Sequence, residues 1–123
     1  MKITTYFSLF FFTLPLSTHA FEVSKKTWIE GMTSALPAAF CNSSQYFRQC
    51  FNITAIECEE TALSATRICI KENEEKIPDV LVQPEDGRNW GTKIGSCAGK
   101  TFELSLIKKR INNDQCNDPS NWQ

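Results

Sequence analysis

Six cysteines all lie downstream of a hydrophobic segment at the start of the chain. An even number of cysteines in a small exported chain favours three disulfides, because the compartment outside the cytoplasm is oxidising. Thiolates also bind metal ions, but such sites usually contain CxxC pairs and the chain has none. We therefore expect no metal, no cofactor and six disulfide-bonded residues: Cys41, Cys50, Cys58, Cys69, Cys97 and Cys116.

The hydrophobic segment has the three parts of a secretory signal peptide. Lys2 supplies the positive charge, residues 3–16 are predominantly apolar, and the segment ends with small residues at Ala20. Cleavage there leaves residues 21–123, for which we predict a single domain. An uncleaved membrane anchor is the alternative, but the run is shorter than the ~20 apolar residues that span a bilayer. We expect a secreted or periplasmic protein, with no membrane span in the mature chain.

The only histidine, His19, lies inside the predicted signal peptide. The mature chain therefore lacks the imidazole that Ser-His-Asp triads, Cys-His pairs and His-ligated metal sites require. Its formal charge is −2, because it loses only Lys2 of the 13 basic residues and keeps all 14 acidic ones. A nucleic-acid-binding domain normally presents a basic face. We expect no catalytic residues, no enzymatic activity and no nucleic-acid partner.

Helical spacing of apolar residues begins soon after the predicted cleavage site. Ser24 is a candidate N-cap for a helix in which Trp28, Met32 and Leu36 recur every four residues. Pro37 is expected to end or kink this helix, because proline removes a backbone donor and clashes with the preceding turn. A second helix is predicted to begin at the capping cluster 42–44.

The strongest helix signal follows at residues 54–57, which form a capping box. In this motif Thr54 and Glu57 each satisfy a backbone N–H that the helix start leaves unpaired. One apolar stripe then follows, at Cys58, Ala62, Ala65 and Cys69. The opposite side carries polar residues, at Glu60, Ser64, Arg67 and Lys71, and Ile68 does not fit the pattern.

The apolar stripe restricts the disulfides. Cys58 and Cys69 lie about 16 Å apart along a helix that rises 1.5 Å per residue, which is too far for a bond between them. The simplest partner for this face is the preceding helix, in a helical hairpin. That hairpin pairs the cysteines as Cys50–Cys58 and Cys41–Cys69 and, by elimination, as Cys97–Cys116. Other connectivities remain open at this stage.

The pattern is weaker beyond the third helix. Residues 77–87 break the helical spacing, and their apolar run 80–82 predicts an extended connector, with an edge strand as the alternative. Glycines then recur every four residues at Gly91, Gly95 and Gly99 and favour a C-terminal helix; turns before a strand at 101–107 are the alternative. The sequence thus predicts an all-α fold: a small disulfide-stapled helical bundle that contains a helical hairpin.

Two groups of charged residues have simple structural explanations. The basic run 108–110 complements the dipole of a helix C-terminus, and a contact for acidic surfaces or lipid headgroups is the alternative. The carboxylates Glu57, Glu59 and Glu60 stabilise a helix N-terminus in the same way, although paired carboxylates also serve in glycoside hydrolysis.

Aromatic residues provide the remaining indication of function. Tyr46, Phe47 and Phe51 cluster around the predicted hairpin and, with Trp90, are our candidate binding surface; filling of the core is the alternative. We expect macromolecular binding, as in a secreted or periplasmic inhibitor, immunity or effector protein, with another protein or a cell-surface component as partner. A carrier of an apolar small molecule or lipid is the second hypothesis, and a carboxylate-dependent hydrolase the third.

Overall fold

The structure, a computed structural model, describes residues 21–122. Its elements in chain order are β1 (Phe21–Ser24), α1 (Lys25–Phe40), α2 (Tyr46–Gln49), α3 (Ala55–Asn73), β2 (Val80–Gln83), α4 (Glu85–Ser105) and α5 (Asp114–Asn117). Short 3-10 helices cover Ile107–Lys109 and Pro119–Trp122. The predominance of helix confirms the predicted class, with two short strands added. The predicted signal peptide, residues 1–20, lies outside the described residues.

Helix α1 begins where the sequence predicts and ends later. The Ser24 hydroxyl accepts a hydrogen bond from the Thr27 backbone N–H at 3.2 Å, as expected of an N-cap. Pro37 does not end the helix, which continues for three more residues to Phe40. A proline in the last turn costs little, since it removes one intrahelical donor while its own carbonyl still accepts from the Cys41 N–H at 3.0 Å.

Helix α3 is the central element and packs against both α1 and α4. The predicted apolar stripe is confirmed, because Cys58, Ala62, Ala65 and Cys69 are all buried. The Thr54 half of the capping box is also present, with the hydroxyl accepting from the Glu57 N–H at 3.1 Å. The other half is replaced, since the Glu57 carboxylate instead accepts a hydrogen bond from the Lys109 ammonium.

A helical hairpin is present, but α1 and α3 form it, and the prediction that the second and third helices form it is wrong. The segment expected to be its first helix contains only the single turn α2, because Asn42 accepts from the Ser44 N–H in a tight turn and the helix begins only at Tyr46. The disulfides consequently differ from the predicted pairing. The structure bonds Cys41 to Cys58, Cys50 to Cys116, and Cys69 to Cys97, while the prediction that all six cysteines are bonded is confirmed.

Each observed disulfide follows from the packing of the helices. The end of α1 meets the start of α3, which brings Cys41 to Cys58. Helix α4 covers the far part of the α3 stripe, which brings Cys97 to Cys69. The C-terminal segment returns to the end of α2, and Cys116 bonds Cys50 there.

The apolar run 80–82 is a strand and not the predicted connector. β2 pairs with β1 in antiparallel register, with Val23 opposite Leu81, and Leu81 is fully buried. The edge-strand alternative was therefore the correct one. Its partner lies almost 60 residues earlier in the chain, so no local pattern indicates it.

The predicted C-terminal helix is confirmed as α4, and it contains all three spaced glycines. It buries Ile94, Ala98 and Phe102 against the remainder of the core. Among residues 21–122, no helix combines the length and the apolar character needed to cross a bilayer. The end of α4 carries the chain towards α2, beside which a cleft opens.

Candidate functional site

The structure gathers three of the four candidate aromatic residues. Tyr46, Phe47 and Phe51 join Phe40 and Phe102 in one cluster of stacked and edge-on rings, with neighbouring centroids 4.4 to 6.4 Å apart. Phe51 is only 2% exposed, so it belongs to the core and not to a binding surface. Phe47 and Tyr46 are half-buried.

Trp90 lies apart from this cluster. It occupies the first third of α4, twelve residues before Phe102, or about 18 Å along the helix axis. The ammonium of Lys93 lies over its ring at 4.6 Å from the centroid. The four candidate residues therefore do not form one surface.

A cleft of about 340 Å³ opens beside Tyr46, and we call it the Tyr46 cleft. It lies where α2, the end of α4 and the C-terminal segment meet. Its lining combines two aromatic rings, a carboxylate and a guanidinium: the residues are Tyr46, Glu103, Arg110, Cys116, Asn117, Pro119 and Trp122.

Backbone contacts fix the segment that carries Arg110. Phe51 and Arg110 form an antiparallel bridge, and the Ile111 N–H donates to the Cys50 carbonyl at 2.8 Å. On the other side of the bridge, the Asn52 N–H donates to the Lys109 carbonyl, also at 2.8 Å. The Cys50–Cys116 disulfide then holds the following residues against α2. Arg110 is thus anchored through its backbone as well as its side chain.

Tyr46 links the two charged groups of the cleft. Its hydroxyl donates to Glu103 Oε1 at 2.6 Å and accepts from Arg110 Nε at 3.0 Å. The Arg110 guanidinium donates two further hydrogen bonds, from Nη1 to Asn117 Oδ1 at 3.0 Å and from Nη2 to the Cys116 carbonyl at 2.9 Å. All three of its acceptors are uncharged groups.

Burial of the phenol raises the pKa of Tyr46 above its ordinary value of 10.0. The hydrogen bond to Glu103 raises this pKa further, because a tyrosinate could not donate to the carboxylate, while the nearby Arg110 acts in the opposite direction. Tyr46 is therefore a neutral donor at physiological pH, and it keeps Glu103 and Arg110 in a fixed relation.

Trp122 forms the other aromatic wall. Its ring meets Tyr46 edge-on with centroids 5.7 Å apart, and its indole Nε1 donates to the Gln115 carbonyl at 3.1 Å. This half-buried position leaves part of the ring facing the cleft.

A family model described as NttA, a substrate of the type II secretion system (T2SS), matches residues 22–110. The chain belongs to the NttA family. It is accordingly a secreted protein, which agrees with the localisation expected from the N-terminal segment. The matched range includes Tyr46, Glu103 and Arg110, whereas Trp122 lies beyond it. No curated protein and no solved structure matches the chain.

Of the carboxylates considered for hydrolysis in this member of the NttA family, Glu57 has a structural partner, as does Asp118 near the last cysteine. Glu57 pairs with Lys109, and Asp118 accepts hydrogen bonds from the backbone and hydroxyl of Ser120, which lower the pKa of its carboxyl. Glu59 and Glu60 line a separate groove between α1 and α3. Within residues 21–122, no cluster of three or more His, Cys, Asp or Glu side chains is arranged to hold a metal ion.

Sequence reasoning identified Tyr46 but missed Glu103, Arg110 and Trp122. The basic run 108–110 predicts that Arg110 is a solvated complement to a helix end, whereas its guanidinium lies in the cleft. The hydrogen bonds of Tyr46 reach residues 57 and 64 positions away. No periodicity or motif in a single sequence indicates contacts of that range.

Proposed function

We propose that this secreted protein acts by binding a protein or a cell-surface component through the Tyr46 cleft, without a catalytic step. The observation that carries the proposal is the set of hydrogen bonds of Arg110, which hold a guanidinium in a concave, aromatic site with uncharged acceptors only. Arginine and aromatic residues of this kind dominate the energetics of binding interfaces.

Rigidity of the cleft supports binding. Two backbone hydrogen bonds and a disulfide fix the C-terminal wall relative to α2, so few side chains lose freedom when a partner arrives. Such preorganisation improves affinity because association then carries a smaller entropic cost.

The packing of the core favours binding over transport of an apolar molecule. The aromatic side chains that could enclose a lipid instead contact one another, and Phe102 and Phe51 are essentially inaccessible. The engagement of Glu57 and Asp118 in structural contacts likewise favours binding over carboxylate-dependent hydrolysis.

Two tryptophans give a matched test of the proposal. The oxidised mature protein, labelled with a fluorophore, is titrated onto intact eukaryotic and bacterial cells and onto arrays of their extracted surface components. We expect saturable binding that Trp122→Ala weakens about tenfold or more, as truncation of an interface anchor does. Trp90→Ala is the control and should leave binding unchanged, since Trp90 lies far from the cleft along α4.

Equal effects of the two substitutions would contradict the proposed site. Absence of saturable binding to every surface, or turnover of a panel of polysaccharides and lipid esters by the purified protein, would contradict the proposed function itself.

A further inference from the structure

We infer that the Tyr46 cleft binds a zwitterion of the phosphocholine type, in which a quaternary ammonium lies close to a phosphate. The inference rests on the proposed function and specifies the chemistry of its ligand. Two opposite charges, Glu103 and Arg110, lie in one cleft on either side of a single phenol oxygen. A ligand with the same two charges in reverse order complements both.

Arg110 provides the site for the phosphate. Three of its five N–H groups donate to the Tyr46 hydroxyl, Asn117 Oδ1 and the Cys116 carbonyl, which leaves two for a ligand. In the described part of the chain, no carboxylate forms a direct ion pair with the guanidinium, and Glu103 reaches it only through the Tyr46 hydroxyl. Guanidinium groups recognise phosphate oxygens through strong charge-assisted hydrogen bonds.

Glu103 and Trp122 provide the site for the ammonium. Glu103 Oε1 accepts from Tyr46, and no basic side chain of residues 21–122 forms an ion pair with this carboxylate. The Trp122 ring lines the same cleft. A quaternary ammonium is weakly hydrated and favours aromatic faces, whereas a primary ammonium would lose more hydration on entering.

The opposed charges disfavour ligands that carry a single charge. A phosphate alone would be attracted by Arg110 but repelled by Glu103. A cation alone would be attracted by Glu103 but repelled by Arg110. Only a ligand that carries both charges gains from both groups at the spacing that Tyr46 fixes. The cleft, at about 340 Å³, is within the size range of small-molecule sites.

The zwitterion has two possible sources, a bilayer headgroup and a free or glycan-linked phosphocholine. Two apolar side chains near Glu103 and Arg110 in the chain are exposed: Leu104 by 74% and Ile107 by 57%. These side chains would contact the acyl region if the source is a bilayer. The same ligand chemistry serves both sources, and the experiment separates them.

Phosphocholine itself is the probe. The oxidised mature protein is titrated with it and followed by amide chemical shifts in NMR, with calorimetry for the affinity. We expect saturable shifts at Tyr46, Glu103 and Arg110. We also expect choline alone and inorganic phosphate alone to bind with an affinity at least about tenfold lower than that of phosphocholine, because each is attracted by one charge of the cleft and repelled by the other.

Substitutions test each half of the site. Glu103→Gln keeps the acceptor for Tyr46 and should weaken phosphocholine binding about tenfold, with Glu59→Gln as the control. Arg110→Gln should have a similar effect, and Arg110→Lys should restore part of the affinity if charge is what matters. Arg110→Gln also removes hydrogen bonds to the C-terminal segment and could therefore disturb the fold. Circular dichroism checks that this variant is folded, and Glu103→Gln tests the site without removing those hydrogen bonds.

Vesicles identify the source. The bilayer is the source if the protein binds phosphatidylcholine vesicles, if Leu104→Ala and Ile107→Ala weaken this binding, and if free phosphocholine displaces the protein from the vesicles. The soluble or glycan-linked form is the source if free phosphocholine binds but the vesicles do not. Preference for phosphatidylglycerol vesicles, or equal affinity of Glu103→Gln and wild type, would overturn the inference.

The inference and the proposed function can fail separately. If cell binding depends on Trp122 but phosphocholine neither binds nor competes, the zwitterion is wrong and the binding function stands. If phosphocholine binds the cleft while no cell surface or extracted component is bound, the proposed macromolecular function is wrong.

Discussion

Tyr46 determines the protonation state of the cleft, and the mature chain offers a direct way to measure it. The other tyrosine of the sequence, Tyr6, lies in the predicted signal peptide, so Tyr46 is the only tyrosine in residues 21–123. We expect its tyrosinate absorbance to appear with an apparent pKa above 10.0, because burial and the hydrogen bond to Glu103 both disfavour the anion. An ultraviolet titration of the mature protein measures this pKa.

Glu103→Gln should lower that pKa, because the neutral amide removes the negative charge beside the phenol. Glu59 lies in the α1–α3 groove, so Glu59→Gln should leave the pKa of Tyr46 unchanged.

The raised pKa of Tyr46 also makes the stability of the protein depend on pH. The contribution from Tyr46 is fully present below pH 10.0 and is lost as the pH rises through the higher pKa of the folded state. A wild-type pKa at or below the ordinary value would contradict the hydrogen-bond arrangement.

Phe102 and Leu104 provide a contrast between a core residue and a surface residue on the same helix. Phe102 is completely buried against the rings of Phe40, Phe47 and Phe51, whereas Leu104 is largely exposed. Phe102→Ala should therefore reduce the free energy of unfolding by about 3–5 kcal/mol, through lost burial and the cavity that remains. Leu104→Ala should change it by less than about 0.5 kcal/mol. Urea unfolding of both variants checks this, and comparable losses would show that the aromatic cluster is not the core.

At the scale of elements, two of the regularly spaced glycines of α4, Gly91 and Gly99, have different surroundings. A methyl group at Gly91 would meet nothing within 4 Å, whereas one at Gly99 would lie 3.3 Å from Phe47 Cζ. Gly91→Ala should stabilise the protein by up to about 1 kcal/mol, because alanine favours a helix over glycine. At Gly99 the same gain is opposed by crowding of the Phe47 ring.

Thermal unfolding of Gly91→Ala and Gly99→Ala measures this difference directly. The melting temperature should rise for the first variant and should rise less, or fall, for the second. An equal rise in both would mean that the close approach of α2 to α4 at Gly99 does not restrict a side chain there.

Elements with local signals were predictable from the sequence, and elements that depend on distant partners were not. The capping residues Ser24 and Thr54 and the α3 stripe act within a few residues, so the main helices appear in the pattern. Strand β1 has only four residues and depends on pairing with β2. The same reason explains the cleft, because nothing near Tyr46 in the sequence indicates that Glu103 and Arg110 will reach it.

On the scale of the whole molecule, the three disulfides connect different parts of the fold. Cys41–Cys58 closes the α1–α3 hairpin, and Cys69–Cys97 joins α3 to α4. Cys50–Cys116 differs from both, because it ties the C-terminal segment, and with it one wall of the Tyr46 cleft, to the end of α2. The Cys50–Cys116 disulfide thus contributes both to the stability of the protein and to the structure of the Tyr46 cleft.

Removal of the Cys50–Cys116 disulfide should lower the free energy of unfolding more than removal of the Cys41–Cys58 disulfide of the hairpin. Cys50 and Cys116 are 66 residues apart in the chain, whereas Cys41 and Cys58 are 17 apart. On the chain-entropy model, the longer loop stabilises by about 4 kcal/mol and the shorter one by about 3 kcal/mol, because closing a longer loop removes more freedom from the unfolded chain. Double alanine variants of each pair, compared by guanidinium unfolding, measure the difference. A larger loss for the Cys41/Cys58 pair would mean that native contacts of the hairpin, and not loop closure, set the contribution of these disulfides.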